Sequence, residues 1–395
     1  MNLLLKAFWL ASCVLVGTLE ANAQVLVQGG GATMPAALYQ GSPDSILPTS
    51  FSYAPRSSGV GKRAFLSNDP SLFSTTGTVH FAGSEAVLSG TELNDYNSTF
   101  NRSGDSNRYG ALIQIPVALA PVIIPFNKPG SAVDLSVTQI CAIFSGKINN
   151  WSSIDSARSG AIQVVYRRES SGASELLTRF LSSACQPADV SATTLKLTNG
   201  APAFSVQATF ANLFTRVPEN FVAAPASGDA AVYAAVLATN GTIGYTGPDL
   251  SLDLSDATRV ARVKGFSPKD VSALATLDTV APPTGAAAEN PANWVPVFAN
   301  PNSGYPIVGA TNLLFGQCYK DVLVGARIRG GLSRIYGSIV VDGVEQAPND
   351  AAIRAHRFIP LNKAWRDAIR VRFVDASHPR AVNNPSTCSG IGRPL

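Results

Sequence analysis

The stretch IQVVYRRESSGASELLTRF, residues 162–180, joins the sequence pattern of a strand to that of a helix through a short polar loop. Residues 162–165 are apolar enough for a buried strand, whereas the leucines and the phenylalanine within 176–181 recur at the spacing of one helical face. The helix is therefore predicted to begin near Ser171, directly after the loop.

The loop has the chemistry of an anion receptor. The start of a helix offers unpaired backbone N–H groups and a partial positive charge, here at residues 171–174. Arg167 adds a forked and permanently charged donor beside them. A capped helix with a surface pair between Arg167 and Glu169 would explain the same residues, so this stretch alone does not separate the two interpretations.

Residues 25–40, VLVQGGGATMPAALYQ, repeat this plan. Residues 25–27 predict a strand, the glycines at 29–31 predict a turn that a ligand can approach closely, and Pro35 suits the first turn of a helix. Thr33 can offer both a hydroxyl and a backbone N–H to an anion. An ordinary strand-to-helix turn explains the three glycines equally well.

Two further stretches offer one donor and one acceptor. In SFSYAPRSSGVGKRAFL, residues 50–66, a loop at 57–61 is predicted to present the hydroxyl of Ser58. In VHFAGSEAVLSGTEL, residues 79–93, a predicted strand is followed by Glu85 at the start of another helix. Acidic residues are common in first helical turns because of the helix dipole, so a purely structural role for Glu85 stays open.

The remaining chain alternates between strand and helix patterns, which indicates an α/β protein with mostly parallel sheets. A length of 395 residues is sufficient for two domains, and the proline-interrupted β-rich run at 111–127 is suited to carry the chain between them. Residues 249–303, rich in Pro, Asp, Ser and Ala, are predicted to form peripheral strands and loops. Further predictions are helices at 136–144, 228–238, 321–336 and 349–373 and a strand at 242–245.

The composition excludes some classes of function. Charged residues make up only 14% of the chain and the net charge of +4 is spread along it, which argues against nucleic acid as a partner. The longest apolar run beyond the N-terminus, 115–126, is too short for a membrane span and contains three prolines. A well-packed globular protein without a membrane span in its mature chain is therefore expected.

The first 23 residues are predicted to be a secretory signal peptide. A basic residue near the start, an apolar run over 7–17 and small residues at 21 and 23 lead to a predicted cut before Gln24. Leu-Ala-Ser before Cys13 also matches the pattern that precedes a lipid-modified cysteine, which leaves lipidation as an alternative. The protein is expected to be exported, either periplasmic or secreted.

Four cysteines remain after the predicted cleavage. An even number in an exported chain favours disulfides over metal binding. Three pairings are possible, and pairing between neighbours would keep each bridge within one region of the chain. That pairing joins Cys141 to Cys185 and Cys318 to Cys388.

Motifs for metal binding and for nucleophilic catalysis are not found in the sequence. The three histidines, at 80, 356 and 378, are widely separated and have neither HExxH spacing nor a cysteine partner. A GxSxG turn and a Walker-type phosphate loop are both missing. Ser171 beside Glu169 resembles a nucleophile and its base, but anion contact explains a helix-starting serine next to an arginine. Neither a metal nor a cofactor is predicted.

Five motifs occur in order over nearly all of the mature chain. They are GGGATMP at 29–35, FAGSE at 81–85, VDLSVTQICAIFSGKINNW at 133–151, VVYRRESSGASELLTRF at 164–180 and SGYPIVGATNLLFGQCY at 303–319. Together with the cysteine positions, they resemble the DING family, whose members are relatives of the periplasmic phosphate-binding proteins that serve ABC transporters. The resemblance implies a two-lobed α/β periplasmic-binding-protein (Venus-flytrap) fold of type II, with phosphate in the cleft between the lobes. It implies lobe I from residues 24–115 and 300–395 and lobe II from residues 116–299.

The resemblance also implies a phosphate site. Carried over by motif, its residues are Thr33, Met34, Ser58, Glu85, Arg167, Ser171, Gly172 and Ala173. Glu169 would orient Arg167, and Glu85 lies where the family usually has an aspartate that accepts the proton of hydrogen phosphate. Glu85 is one methylene longer than that aspartate, and Ala173 replaces the usual threonine and so lacks its hydroxyl. Phosphate binding that is weaker than in typical relatives is therefore expected.

The function implied by the resemblance is that of an exported phosphate-binding protein for phosphate uptake or scavenging. A monomer is expected, with an ABC transporter permease as a candidate partner. Two alternatives stay open. Some DING relatives are associated with alkaline phosphatase activity, so a secreted phosphoester hydrolase of low efficiency is the first. The second is an adhesion-type surface protein that has lost its ligand, which Glu85 and Ala173 keep open.

Overall fold

The computed structural model describes residues 26–40 and 44–394, so the predicted signal peptide and Cys13 lie outside the described residues. The strands, in chain order, are β1 Val27–Gly31, β2 Phe51–Pro55, β3 Phe81–Ser84, β4 Leu112–Pro121, β5 Phe126–Asn127, β6 Asp134–Leu135, β7 Gln163–Tyr166, β8 Leu197–Thr198, β9 Ala201–Pro202, β10 Phe221–Ala223, β11 Thr242–Gly244, β12 Arg262–Val263, β13 Val308–Gly316, β14 Ile339–Val341, β15 Val344–Gln346 and β16 Ile359–Pro360. The helices are α1 Ala36–Gln40, α2 Ser58–Ser67, α3 Gly90–Thr99, α4 Val137–Ser145, α5 Gly172–Ala184, α6 Asp229–Ala238, α7 Asp270–Leu277, α8 Val322–Tyr336, α9 Asp350–Ala355 and α10 Lys363–Ile369.

Two sheets form the centres of two lobes. The larger sheet has the strand order β16-β4-β13-β3-β1-β2, and the smaller has the order β10-β7-β11-β5. The chain leaves the larger sheet after β4 and returns to it in β13, which inserts between β4 and β3. The two-lobed α/β architecture expected from the sequence is confirmed.

The prediction of mostly parallel sheets is wrong for half of the larger sheet. Strand β1 pairs in parallel with β2 and β3, but β13 runs antiparallel to both β3 and β4. The reason lies in the crossing between lobes, because a strand that returns from the second lobe enters the first sheet from the end at which the chain left it. Antiparallel pairing is then the direct way to continue the sheet.

Strand β4 shows how prolines are tolerated in a buried strand. The predicted proline-interrupted run becomes one strand whose residues are all buried. Its pairing with β13 shifts register between Thr311 and Asn312, which face Ala118 and Pro116 respectively. A proline cannot donate a ladder hydrogen bond, and a bulge beside it removes that requirement. The extra residue of this bulge is Val117 on β4.

The three glycines at 29–31 lie inside β1 and not in a turn, so that prediction is wrong. A Cβ at Gly30 would overlap the carbonyl of Ala54 on β2, and a Cβ at Gly31 would overlap the carbonyl of Gly83 on β3. Only Gly31 of the three has a positive φ, of 134°. The glycines therefore permit close packing of neighbouring strands rather than the approach of a ligand.

Two helix starts also differ from the predictions. The expected loop at 57–61 is the start of α2, because the Ser57 side chain accepts the N–H of Val60 and caps the helix. Glu85 was expected in a first helical turn, yet it follows β3 directly and α3 begins only at Gly90. The helix dipole therefore does not account for this carboxylate.

Other predicted elements are confirmed with small changes of boundary. These are the strand and helix of 162–180, now β7 and α5, together with α4, α6, α8 and β11. The long helix expected over 349–373 is wrong, since it is divided into α9 and α10 by β16, which ends at Pro360. Residues 249–303 contain a helix, α7, besides the expected loops.

Two disulfides close the chain locally. Cys141 on α4 is bonded to Cys185 at the end of α5, and Cys318 is bonded to Cys388. The pairing between neighbours expected from the sequence is thus observed. Among the described residues, no helix combines the length and the apolar character needed to cross a membrane.

Removing the first disulfide by the double change Cys141→Ala and Cys185→Ala should lower the free energy of unfolding by about 4 kcal/mol, because the bond closes a loop of 44 residues in the unfolded chain. Urea unfolding without reductant, followed by tryptophan fluorescence, measures this change. The Cys318→Ala and Cys388→Ala double variant is the matched control, with a similar expected loss for its separation of 70 residues. A loss below about 1 kcal/mol for the first variant would contradict the expectation.

Candidate functional site

The ends of strands from both lobes meet in one cleft. Arg167 follows β7 of the smaller sheet, whereas Glu85 follows β3 of the larger sheet. Arg167 Nη2 lies 3.5 Å from the hydroxyl of Thr33, which follows β1. The Glu85 carboxylate lies against Gly172 at the start of α5, so closely that a Cβ at Gly172 would overlap it. Residues predicted from separate motifs are thus brought together across the lobes.

Arg167 is a buried cation held by two carboxylates. Its side chain is 1% exposed, its Nε donates to Glu169 Oε1 at 2.6 Å, and its Nη1 donates to Asp229. Burial lowers the pKa of the guanidinium, but the carboxylates of Asp229 and Glu169 outweigh burial and raise this pKa above its ordinary value. The guanidinium therefore stays charged and is fixed in orientation beside the cleft.

At the start of α5, some backbone N–H groups have hydrogen-bond partners and others do not. Ser171 Oγ accepts the N–H of Ser174 at 3.1 Å and donates to Ser174 Oγ at 2.9 Å. The N–H of Ser171 donates to the carbonyl of Ala208 at 2.8 Å. The first-turn N–H groups of Gly172 and Ala173 have no intrahelical acceptor, and no hydrogen bond from them to the described part of the protein is observed. The Ser171 hydroxyl thus acts as a helix cap, and the donors that remain are backbone groups.

Glu85 is a buried carboxylate surrounded by hydroxyl donors. Ser58 Oγ donates to its Oε2, and Thr311 Oγ1 donates to its Oε1 at 3.1 Å. Burial raises the pKa of Glu85 to about 7, against the lowering effect of the hydrogen bonds from Ser58 and Thr311. Such a carboxyl group can accept a proton from a ligand or hold one itself near neutral pH.

The other predicted residues line the same region. Met34 is buried and its side chain packs against Gly247, where a Cβ would overlap it. Ala173 is fully buried as the second residue of α5. Among residues 26–40 and 44–394, no group of three or more His, Cys, Asp or Glu residues is arranged to hold a metal ion.

Comparison with known proteins identifies the family. Residues 17–330 match the family described as a PBP superfamily domain. The chain belongs to the PBP superfamily. A phosphate-binding protein from Stenotrophomonas maltophilia is 72% identical, with a TM-score of 0.89 over 94% of this chain and 100% of that chain.

Two other relatives of this PBP superfamily protein carry different names. A high-affinity periplasmic phosphate-binding protein, PfluDING, solved with phosphate, is 41% identical, with a TM-score of 0.80 over 94% of this chain and 100% of that chain. Alkaline phosphatase L of Pseudomonas aeruginosa is 41% identical over 98% of this chain and 100% of its own. The resemblance to DING proteins is confirmed by these matches.

Sequence reasoning missed three residues of the site in this PBP superfamily protein. Asp229 lies 62 positions from Arg167, and Thr311 lies 226 positions from Glu85. Tyr245 accepts the N–H of Arg167 at 3.2 Å and exchanges a hydrogen bond of 2.7 Å with Ser174. For Thr311 a signal existed, since Thr-Asn interrupts the otherwise apolar stretch VGATNLLFG of β13.

The raised pKa of Glu85 predicts a specific dependence of stability on pH. From pH 4.5, its ordinary pKa in the unfolded chain, to about pH 7, its pKa in the folded protein, the folded protein holds a proton that the unfolded chain has lost. The free energy of unfolding should therefore fall as pH rises through this window, by roughly 3 kcal/mol from this group. Glu85→Gln removes the titrating group, so the free energy of unfolding of this variant should lack this fall of roughly 3 kcal/mol.

Urea unfolding of the wild type and of Glu85→Gln, at intervals from pH 4.5 to 8 in buffer free of phosphate, measures the difference between their free energies of unfolding at each pH. The other titrating groups contribute equally to both proteins and cancel. Parallel pH profiles would show that Glu85 titrates near its ordinary pKa.

Proposed function

We propose that the protein binds hydrogen phosphate in the cleft between its lobes, as an exported protein of phosphate uptake or scavenging. The observation that carries the proposal is that a buried cation and a buried acceptor each reach across to the opposite lobe in one region. Arg167 reaches Thr33, and Glu85 reaches Gly172 at the start of α5. The relatives named as phosphate-binding proteins support it, because they match over the whole of their own chains.

Each residue has a chemical role in this proposal. Arg167 clamps the oxyanion, and the N–H groups of Gly172 and Ala173 donate to it at the positive end of the helix dipole. Thr33 and Met34 contribute a hydroxyl and backbone donors from the first lobe. The Ser58 hydroxyl donates its single proton to Glu85 in this structure and turns that proton to the anion when phosphate binds. Ser171 shapes the start of the helix through its cap, and Glu169 orients the arginine, as does Asp229.

Glu85 gives the site its selectivity for a protonated oxyanion. Hydrogen phosphate carries a proton that the Glu85 carboxylate can accept, whereas sulfate has none and would set an oxygen lone pair against it. An unmade hydrogen bond to a buried charged group costs several kcal/mol, which corresponds to orders of magnitude in affinity. The missing hydroxyl at Ala173 makes the binding weaker than in typical relatives.

The organisation of the whole protein follows from the same proposal. Lobe I comprises residues 24–115 and 300–395, and lobe II comprises 116–299. Residues 1–23 are removed as a signal peptide, and the mature monomer works in the periplasm or outside the cell, with an ABC transporter permease as its partner. PfluDING is named as a periplasmic phosphate-binding protein, which supports this location.

Hydrolysis of phosphate esters is the second candidate, favoured by the 41% identity to a protein named alkaline phosphatase L. The geometry argues against it, because the Ser171 hydroxyl is bound to Ser174 and the Glu169 carboxylate to Arg167. These two residues do not form a nucleophile–base pair. Turnover of an aryl phosphate by highly purified protein, lost in both Arg167→Ala and Ser171→Ala, would favour this candidate instead.

Calorimetry of the mature protein at pH 7.5 should show binding of phosphate and at least 100-fold weaker binding of sulfate, because sulfate cannot donate to Glu85. Arg167→Ala should weaken phosphate binding by about 100-fold or more, since it removes the charged clamp. Arg167→Lys keeps the positive charge but loses the forked pair of donors. Its phosphate affinity should therefore lie between those of the wild type and Arg167→Ala.

The matched control is Arg216→Ala, because Arg216 pairs with Glu219 on the exposed surface and should leave binding unchanged. Circular dichroism establishes that each variant is folded. Absence of phosphate binding in the wild type, or equal binding in folded Arg167→Ala, would refute the proposal and favour a protein that has lost its ligand.

Ala173→Thr should tighten phosphate binding by about tenfold or more, because it adds a hydroxyl donor to a charged ligand at a buried position. Ala173→Val is the control, since valine has nearly the same shape without the hydroxyl. Calorimetric titration of the two variants separates the added hydrogen bond from the added volume. Equal affinities in both variants would show that position 173 does not offer its side chain to the ligand.

A further inference from the structure

A buried chain of hydroxyl groups ends on the Glu85 carboxylate. The Tyr39 hydroxyl on α1 lies 2.9 Å from Thr311 Oγ1 on β13, and Thr311 Oγ1 lies 3.1 Å from Glu85 Oε1. All three residues are fully buried. The hydroxyl chain reaches Oε1 of Glu85 from α1 and β13, whereas Oε2 lies against Gly172 of α5.

The protons of this chain can be assigned from the hydrogen-bond partners. Thr311 has one hydroxyl proton, and if that proton goes to ionised Glu85, Thr311 accepts from Tyr39. Tyr39 remains a protonated donor, because burial raises the pKa of its hydroxyl far above the ordinary value. Thr311 is the acceptor that the described residues provide for the Tyr39 proton. With Ser58 donating to the other oxygen, every hydroxyl proton then points toward the carboxylate.

The opposite arrangement is unfavourable. A proton on Glu85 Oε1 would be donated to Thr311, and the Thr311 proton would turn to Tyr39. The Tyr39 proton would then lose its acceptor inside the protein, and an unsatisfied buried donor is costly. The hydroxyl chain therefore favours Oε1 of Glu85 as an acceptor over Oε1 as the site of a proton.

Thr311 lies beside a bulge in the neighbouring strand β4, where Val117 is the extra residue. The register shift falls between Thr311 and Asn312, opposite the proline-containing part of β4. The Asn312 side-chain amide donates to the carbonyls of Ser84 and Ala310, each at 3.0 Å, and so ties β13 to the residue before Glu85. The antiparallel register that pairs Asn312 with Ser84 brings the preceding residue, Thr311, to Glu85, which follows Ser84.

We propose that Thr311, held by Tyr39, is a positioning residue that keeps Glu85 a proton acceptor and thereby sets the preference of the site for protonated oxyanions. The proposal rests on the proposed function and assigns it a specificity residue that does not touch the ligand. Burial raises the pKa of Glu85 and Thr311 lowers it, in agreement with this role.

The other titratable groups around Glu85 do not take over this role. From α5, Glu175 raises the pKa of Glu85 by charge repulsion. From β2, the Tyr53 hydroxyl donates to the carbonyl of Ala32 at 2.7 Å and not to the carboxylate, and its pKa is raised by burial. Tyr39 from α1 acts only through Thr311. All three remain unchanged in the variants of Thr311.

The test replaces Thr311 by Val, which keeps its shape and removes its hydroxyl. Two quantities are measured: the titration midpoint of the Glu85 carboxyl by carbon-13 NMR without phosphate, assigned with Glu85→Gln, and calorimetric affinities for phosphate and sulfate from pH 5.5 to 8.5. Thr311→Val should raise the midpoint by about one pH unit or more, since it removes one hydrogen bond to the charged form. At pH 7 the preference for phosphate over sulfate should fall by about tenfold.

Three further variants keep the test specific. Thr311→Ser should restore both the midpoint and the preference, because it returns the hydroxyl. Tyr39→Phe should shift the midpoint in the same direction as Thr311→Val, by a smaller amount. Thr276→Val removes an equally buried hydroxyl from α7, where it donates to the carbonyl of Tyr305 at 2.9 Å, and should lower stability without moving either readout.

The outcomes separate the two proposals. If the wild type binds phosphate and Thr311→Val lowers stability as Thr276→Val does, but leaves the Glu85 midpoint and the ion preference unmoved, the role of Thr311 is refuted and the proposed function stands. If the wild type binds neither ion, the proposed function fails and the selectivity role fails with it. A raised midpoint with a reduced preference, both restored by serine, supports the inference.

Discussion

The carboxylate of Glu85, buried between the two lobes against the start of α5, is the constraint on which the site depends. A carboxylate removed from water is costly unless it is paired or hydrogen-bonded. Its direct hydrogen-bond partners here are the neutral hydroxyls of Ser58 and Thr311, and the pKa of about 7 reflects this incomplete compensation. The surrounding backbone is built around that group. Gly172 must lack a side chain, because a Cβ there would overlap the carboxylate, and the register of β13 against β3 must bring the donor Thr311 to it.

Glu85 has only neutral hydrogen-bond donors around it, whereas Arg167 has more opposite charge than it needs. Its one guanidinium contacts two carboxylates, Glu169 and Asp229. Summed over these residues and Glu85, the formal charge near the cleft is not positive. Under the proposed function, an anion site in such surroundings works through oriented donors rather than through net charge. The donors are the first-turn N–H groups of α5 and the guanidinium, which the two carboxylates hold in place. The small positive charge of the whole chain, +4, therefore says little about affinity, and local geometry decides it.

Much of this arrangement could be predicted from the sequence, because its signals are local. The start of α5 after Ser171 follows from helical spacing and a capping residue, and the pair of Arg167 with Glu169 lies within three positions. The partners Asp229 and Thr311 could not be derived in this way, since they reach the site only through the order of strands in the two sheets. The prediction for the glycines of β1 was wrong for a different reason. Three glycines are compatible with a turn and with a closely packed strand, and only the neighbouring carbonyls of Ala54 and Gly83 decide between them. Glu85 was found through its motif. That it lies before α3 rather than in its first turn could be learned only from the backbone structure.

The division of chemistry between the lobes links recognition to closure. Under the proposed function, the lobe of the smaller sheet contributes only donors, through Arg167 and the start of α5, whereas the lobe of the larger sheet contributes the acceptor Glu85 besides its own donors. A ligand with only acceptors can satisfy the donors of the smaller lobe, but it places an unpaired oxygen against Glu85. A ligand that also carries a proton satisfies both lobes at once, and only then does bringing the lobes together leave no buried polar group unpaired. Under the proposed function, one hydrogen bond, from the proton of the ligand to Glu85, therefore determines both the selectivity for a protonated oxyanion and the stability of the closed cleft.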